Sequence, residues 1–306
     1  MPRTVLVTGA SSQLGVFLLP RLQAAGCRVI ALSRRAPKKA LQVTEAVSWI
    51  HPAGRIDELA APDSLVSCGP LELACELTGC IPSLRRVVAF SSSSVLSKQS
   101  SSNPAEKELM AAMRDQEDRL QQLCRKRDVP LLLLRPTMIY GCGRDRNVSL
   151  LAALAERTGF IPVAGRAAGL RQPVHADDLA ALAVTAMVCE NPVNLVSEVG
   201  GGSTLTYRDM ASRTARAVAE KSRLISMPPG LMSLAVSALS RLGPWRGLNA
   251  EMVRRQSMDM VFDDSALRKA LRYDPRPFEP TSADFKVPAH ARELQLPADR
   301  SATVTA

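Results

Sequence analysis

A short apolar run, Val5-Leu6-Val7, passes through Thr8 into Gly9, and a helix-like stretch begins near Gln13. A first strand hands over to a helix in this order in a βα unit, and no other stretch of the chain constrains its fold as much. Backbone N–H groups at a helix start have no internal partner, and the helix dipole is positive there, so such a turn suits phosphate. Gly9 permits a sharp turn, and Gly15 permits close packing of helix on strand. Small residues between them let the backbone approach a pyrophosphate. Gly9, Ser12 and Gly15 hold the three positions of G-x-x-G-x-x-G, with serine in the middle. A βα turn without a ligand has a similar local pattern; the placement after a strand and before a helix favours a ligand.

Strand-like runs cover Thr4 to Thr8, Arg28 to Leu32, Val47 to Ile50, Ser64 to Cys68, Arg86 to Phe90 and Pro130 to Arg135. Helical patterns lie between several of them. Leu14, Phe17, Leu18 and Leu22 share one face, Gly26 supplies a stop, and Pro20 predicts a kink or a shorter helix. Pro104 to Lys126 reads as a long charged helix with Leu109, Met113, Leu120 and Cys124 as its apolar positions. The LLLL run at 131–134 fits a strand covered on both faces. This alternation predicts an α/β fold, a doubly wound parallel Rossmann-type sheet.

After Arg135 the pattern changes. Asn147 to Arg157 and Asp177 to Val188 read as helices, and another starts at Tyr207 behind the Gly200-Gly201-Gly202 loop. Its cap lies within 203–206, where Ser203 and Thr204 are hard to rank. Leu231 to Leu242 is a short apolar helix, expected in the core, with a dimer face or a membrane-surface contact as alternatives. The expected division is a domain over 1–145, rejoined by segments near 170–200, and a smaller lobe over 146–290. Leu294 to Ala306 reads as a disordered tail.

Composition narrows the function classes. A chain of 306 residues can bury a full core. No run approaches the roughly 18–20 apolar residues of a membrane span. The N-terminus lacks a basic segment followed by an apolar one, so no signal peptide is expected and a cytoplasmic protein is. Seven cysteines without a C-x-x-C pair predict reduced thiols, with neither a disulfide framework nor a metal site. The net charge of +10 is spread along the chain without aromatic interleaving, which argues against nucleic acid as a partner.

Four blocks follow one another: TGASSQLG at 8–15, VVAFSSSSVL at 87–96, LLLLRPTMIYG at 131–141 and GLRQPVHADDLAALAV at 169–184. Together they resemble the short-chain dehydrogenase/reductase superfamily, in its extended branch of NAD-dependent epimerases and dehydratases. The resemblance covers residues 3–280. It implies a Rossmann-type domain and a smaller C-terminal lobe that holds substrate, commonly a nucleotide-sugar. By position, Gly9, Ser12 and Gly15 would face the cofactor pyrophosphate, with Thr8, Ser11, Gln13 and Leu14 in the same turn. Pro136 and Met138 would line the nicotinamide side, and Ser93, then Ser92, would supply the active-site hydroxyl. Arg171 matches an arginine that meets a substrate phosphate in many relatives; a surface ion pair with Asp177 or Asp178 is the alternative. Asn147 and Arg208 are further polar candidates for the substrate, and Asp177-Asp178 are expected to cap the helix that follows. Many relatives pair through the two long helices flanking the active site, which makes a homodimer one option, but the 104–126 helix here is unusually charged and leaves the oligomeric state open.

The second strand ends RVIALSRRAPKK. An acidic residue there accepts bonds from the ribose 2′-OH of NAD, whereas arginine accommodates the 2′-phosphate of NADP. Arg34 and Arg35 stand in place of the acid, followed by Lys38 and Lys39, which favours NADP(H) over NAD(H). A solvated basic loop is the alternative.

One departure matters. The family's chemistry uses a Tyr-x-x-x-Lys pair on one helix face. The three tyrosines here, Tyr140, Tyr207 and Tyr273, are followed four residues later by Arg144, Ala211 and Pro277. The alignment puts Met110 at the tyrosine position and Arg114 at the lysine position. Arg114 can still bind ribose or phosphate, but methionine moves no proton. Loss of a general acid costs about 10²–10⁴ in rate, for which Ser92, Ser93, Lys107 or a substrate group would have to compensate. Three readings follow: an epimerase, dehydratase or reductase with an unusual acid/base; a catalytically silent NADP(H)-binding sensor or partner subunit; and a structural subunit.

Overall fold

The apolar runs of the first half become parallel strands because each is covered on both faces. The computed structural model describes residues 3–33, 47–50, 61–99, 101–239, 249–289 and 291. In chain order the first half comprises β1 (Thr4–Thr8), α1 (Gly15–Ala24), β2 (Arg28–Leu32), β3 (Val47–Ile50), β4 (Ser64–Ser67), α2 (Leu71–Cys80) and β5 (Arg86–Phe90). It continues through α3 (Ser94–Ser97), α4 (Pro104–Lys126) and β6 (Leu131–Pro136). The second half runs β7 (Ile139–Tyr140), α5 (Val148–Thr158), β8 (Phe160–Ala164), β9 (Leu170–Arg171), β10 (Val174–His175), α6 (Ala176–Val188) and β11 (Leu195–Val199). Then come β12 (Leu205–Thr206), α7 (Tyr207–Val218), β13 (Arg223–Met227), α8 (Pro229–Leu239), α9 (Ala250–Arg255) and α10 (Ser265–Leu271), and a 3₁₀ turn over Ser282–Phe285.

Seven strands form one parallel sheet in the order β11-β6-β5-β4-β1-β2-β3. Residues alternate across it with the period of two that a strand imposes. Val5 and Val7 of β1 face a layer with Leu18 and Leu22 of α1 and Leu179 and Ala183 of α6. Leu6 faces the opposite layer, with Leu77 of α2 and Leu120 of α4. Burying each such side chain contributes about 1.5–3 kcal/mol. The expected doubly wound Rossmann-type sheet is therefore present. Between β6 and the edge strand β11 the chain runs through β7, α5, β8, β9, β10 and α6. Outside the seven-stranded sheet β8 and β13 pair in parallel, and Ile161 and Val163 pack with Ala155, Ala211 and Ala215.

Several local expectations need correction. α1 carries Pro20 internally and ends at Ala24, followed by Gly26 in the left-handed region. Leu109 is 58 % exposed; the buried stripe of α4 is Met110, Glu117, Leu120 and Cys124. Leu109 lies one position off that stripe, and Glu117 reads as a surface residue because its partner is far away in sequence. The cap of α7 does fall within 203–206 as expected, at Thr206, whose Oγ1 accepts from Asp209 N at 3.0 Å. Asp177 and Asp178 do not cap α6: His175 Nδ1 accepts from Asp177 N at 3.0 Å, and the two aspartates sit in the first turn. Finally, α8 buries Met232 but leaves Leu231 and Leu234 53 % and 67 % exposed, so it is not a core helix; residues 240–242 lie outside the described residues, as does the 294–306 tail. All seven cysteines are free, and no helix among the described residues is long and apolar enough to cross a membrane.

Candidate functional site

The Gly9–Gly15 turn is built by its own backbone. Ser12 N donates to Gly9 O at 2.8 Å, Val16 N to Ser12 O at 3.2 Å, and Gly15 N to Ser12 Oγ at 3.2 Å. Gly9 has φ +61°, and a Cβ there would stand 2.5 Å from Cys68 O. A Cβ on Gly15 would stand 2.1 Å from Ala10 O. Both glycines are therefore required by close approach of backbone to backbone. Thr8 Oγ1 donates to Ser67 Oγ at 3.0 Å and serves the sheet, and Leu14 packs its side chain into the core. Ser11 Oγ meets Ser33 Oγ at 2.8 Å, which ties the turn to the end of β2. Gln13 Nε2 is buried and has no hydrogen-bond partner. Arg34 and Arg35, with Lys38 and Lys39, lie outside the described residues.

Beside this turn, the end of β5 presents Ser91, Ser92 and Ser93. Ser93 is 8 % exposed, and its N–H donates to Pro136 O at 3.0 Å, which joins the β5 and β6 ends. Ser92 Oγ accepts from Ser94 N at 3.1 Å at the start of α3. Ser91 Oγ is buried without a partner. Met138 packs beside Tyr140 and Phe278. Met110 is 6 % exposed, so its side chain is core, and Arg114 Nη2 donates to Val95 O at 3.0 Å, which ties α4 to α3.

The three tyrosines lie among packed side chains. Tyr140 lies edge-on to His175 and Phe278, with ring centroids 5.0 and 4.9 Å away, and burial pushes its hydroxyl above the ordinary range. Tyr273 donates to Gly200 O at 3.0 Å and is pushed up for the same reason. Tyr207 is pushed up to about 12 by burial. The Arg171 guanidinium sits over its ring at 5.4 Å.

Arg171 is not the surface ion pair considered above. It is 3 % exposed, and its guanidinium donates to the carbonyls of Leu170, Met258 and Arg255 at 2.7, 2.7 and 2.5 Å. Its Nε is buried without a partner, and burial lowers its pKa. Asp177 pairs instead with Arg21 and Arg276, and Asp178 with Arg276. Asn147 flanks the start of α5. Arg208 donates to Arg166 O and Gly165 O, both at 3.1 Å, and to Ser226 Oγ, at the wall of an open cavity of about 720 Å³ in the C-terminal lobe.

Sequence reasoning missed two groups of this region. Arg144 reaches across 133 positions to donate from Nη1 to Ser11 O at 2.8 Å. Glu106, in the first turn of α4, takes a two-pronged contact from Arg255 of α9, at 2.9 and 3.2 Å, and a bond from Ser101 Oγ at 2.8 Å. Neither has a clear local signal, since Ser11 and Arg255 lie far away in the chain. The Arg255 guanidinium holds the Glu106 carboxyl down at about 2, against the opposing effect of burial. A carboxylate with a lowered folded-state pKa stabilises the fold above its ordinary value of 4.5 and loses that contribution as pH falls toward 2. Glu106→Gln is therefore expected to be less stable than the parent by roughly 1–2 kcal/mol at pH 7. The gap should close on acidification below pH 4.5 in urea titrations; a gap that stays constant with pH would show that the pair contributes through packing alone.

No protein-family model matches the chain. The protein y4nG of Sinorhizobium fredii is 26 % identical over 309 residues, covering 90 % of this chain and 75 % of that protein. Among solved structures, UDP-N-acetylglucosamine 4-epimerase from Bacillus cereus superposes with a TM-score of 0.66 at 15 % identity, over 92 % of this chain and 94 % of that one. This chain has the epimerase fold. UDP-glucuronic acid 4-epimerase from Bacillus cereus, solved in complex with NAD, gives 0.65 at 14 % identity over 95 % and 96 % of the two chains. UDP-glucose 4-epimerase from Thermotoga maritima, solved with UDP-glucose, gives 0.63 at 14 % identity over 95 % and 98 %. The likeness in fold thus covers nearly the whole chain and not the seven-stranded sheet alone.

Proposed function

We propose that this chain binds a nicotinamide dinucleotide on the Gly9–Gly15 turn and handles a nucleotide-sugar, as an epimerase/dehydratase-type protein whose proton transfer does not run through a tyrosine. The carrying observation is the turn itself: its two glycines leave room for no side chain, and Gln13 Nε2 is a buried donor without an acceptor. That donor set fits a pyrophosphate. NAD in the complex of the Bacillus cereus UDP-glucuronic acid 4-epimerase, and UDP-glucose in the Thermotoga maritima enzyme, support the same two ligand classes here.

When bound, the nicotinamide ring supplies hydride acceptance and donation. On the protein side, Gly9, Ser12 and Gly15 shape the pyrophosphate turn, Pro136 O accepts from Ser93 N, and Pro136 and Met138 are the residues to line the nicotinamide side. Arg34 and Arg35 distinguish a 2′-phosphate from a free ribose hydroxyl. Ser93 and Ser92 are the candidate hydroxyls, and Ser92 Oγ, which accepts from Ser94 N, keeps its own proton to donate. A second reading, a silent NADP(H)-binding sensor or partner subunit, draws on a specific observation: Met110 is buried, and burial raises the pKa of all three tyrosines.

Calorimetric titration with NADPH and NADH tests the binding. A ligand at 100 times its dissociation constant stabilises by about 2.7 kcal/mol, so a melting shift accompanies it. NADPH is expected to bind more tightly, and Arg34→Ala with Arg35→Ala to erase the difference while leaving NADH binding. Equal affinities in the parent would remove the argument from the second strand end, and no binding of either would remove the proposal. Hydride exchange with UDP-sugars, followed in the same preparation, separates the active reading from the silent one.

A further inference from the structure

We infer that Arg144 is a further anion-binding residue of the dinucleotide turn, supplying a counter-charge to the pyrophosphate from the loop between β7 and α5. The inference rests on the reading of the turn given above.

The guanidinium is fixed at the turn by one edge. Nη1 donates to Ser11 O, inside Gly9–Gly15, at 2.8 Å. Nε is buried without a partner, and among the described residues Nη2 has none either. The Nε–Nη2 edge is the fork with which arginine engages two oxygens of a carboxylate or phosphate. In the same turn, Gln13 Nε2 is also buried without an acceptor among the described residues. Each unmade buried bond is costly, and one doubly charged diphosphate would satisfy donors from both residues.

The charge is free to act on a ligand. Among the described residues no carboxylate pairs with Arg144. The adjacent Asp145 is engaged elsewhere: its oxygens accept from Asn147 N at 3.0 Å, Ser149 N at 2.9 Å and Ser149 Oγ. The loop that carries Arg144 is also held in place. Cys142 is fully buried, and Gly143 N donates to Asp284 O at 3.1 Å. Gly143 has φ +65°, and a Cβ there would meet Phe285 O at 2.4 Å, so the segment around the 3₁₀ turn holds the loop from behind. An arginine held this way spends little entropy on a second contact.

The test is calorimetry with NADH and NADPH at two salt concentrations on the parent, Arg144→Ala and Arg144→Lys, with melting curves to confirm folding. Arg144→Ala is expected to weaken both ligands by the same factor, about 10- to 100-fold, because both carry the pyrophosphate. The salt dependence should become shallower, which a merely structural role would not produce. Arg144→Lys should restore part of the loss, as a point charge without the fork. Parent-like affinity in Arg144→Ala would overturn the inference, and so would a loss confined to NADPH, which would assign Arg144 to the 2′-phosphate. A misfolded alanine variant leaves the lysine variant to decide, by partial against full affinity. A parent that binds neither dinucleotide would overturn the underlying reading as well, and is distinguishable because no variant is then needed.

Discussion

Gly9→Val is expected to reduce dinucleotide affinity more than 100-fold, on the order of a complete loss of the turn's contacts, and to destabilise the fold by roughly 3–5 kcal/mol. Two costs add. The residue sits at φ +61°, where a β-branched side chain is strained. Its Cβ would also stand 2.5 Å from Cys68 O and 2.7 Å from Gly69 N. Those atoms are backbone at the end of β4, so relief requires β1 and β4 to part where they pair Thr8 with Ser67. Urea unfolding and calorimetry on the same sample separate the effects. Gly9→Ala keeps the strain and the close contact but not the β-branch, and should fall between parent and valine variant. A folded valine variant with parent-like affinity would show that the dinucleotide lies elsewhere.

The second large effect belongs to Arg135. Glu117 projects from α4 into the protein with a side chain that has no solvent exposure. Arg135, on β6, meets it through Nε at 3.1 Å and Nη2 at 2.6 Å, and reaches Glu198 of β11 at 3.0 Å through Nη1. Glu117 in turn keeps the Arg135 guanidinium protonated beyond its usual range. Arg135→Met strips the counter-charge from a fully buried carboxylate, and the expected cost is about 3–5 kcal/mol in urea unfolding at pH 7. Arg135→Met with Glu117→Leu should recover most of it, since apolar replacement of both partners removes the desolvation cost. Equal losses in the single and double variants would mean that Arg135 acts through its stem and Glu198 rather than through Glu117.

How far the sequence reveals this molecule follows from the range of its signals. β1, β2, β3 and β5 appear at the expected residues because a buried parallel strand is apolar over its whole length, a local property. The glycine turn is legible for the same reason: its spacing is contained in seven residues. Glu117 is illegible because a buried charge looks like a surface charge until Arg135, eighteen residues on, is seen beside it. His175 as the cap of α6 escapes a search for serine, threonine, asparagine or aspartate. Arg144 carries no pattern at all, since its meaning depends on Ser11. Arg171 shows a partial reading: its place in the motif suggests a substrate-phosphate ligand or a surface ion pair, and the structure replaces the ion pair with bonds from Nη1 and Nη2 to three carbonyls.

The contact between Glu106 and Arg255 is more than a local ion pair, because it couples two parts of the chain that lie far apart in sequence. The two prongs join the first turn of α4 to α9, and the Arg255 carbonyl simultaneously holds Arg171. Separation at this seam therefore exposes an ion pair and loosens a buried arginine in the same motion. A substitution that removes either partner of the pair therefore acts on both arginines at once, although they stand 84 positions apart in the chain.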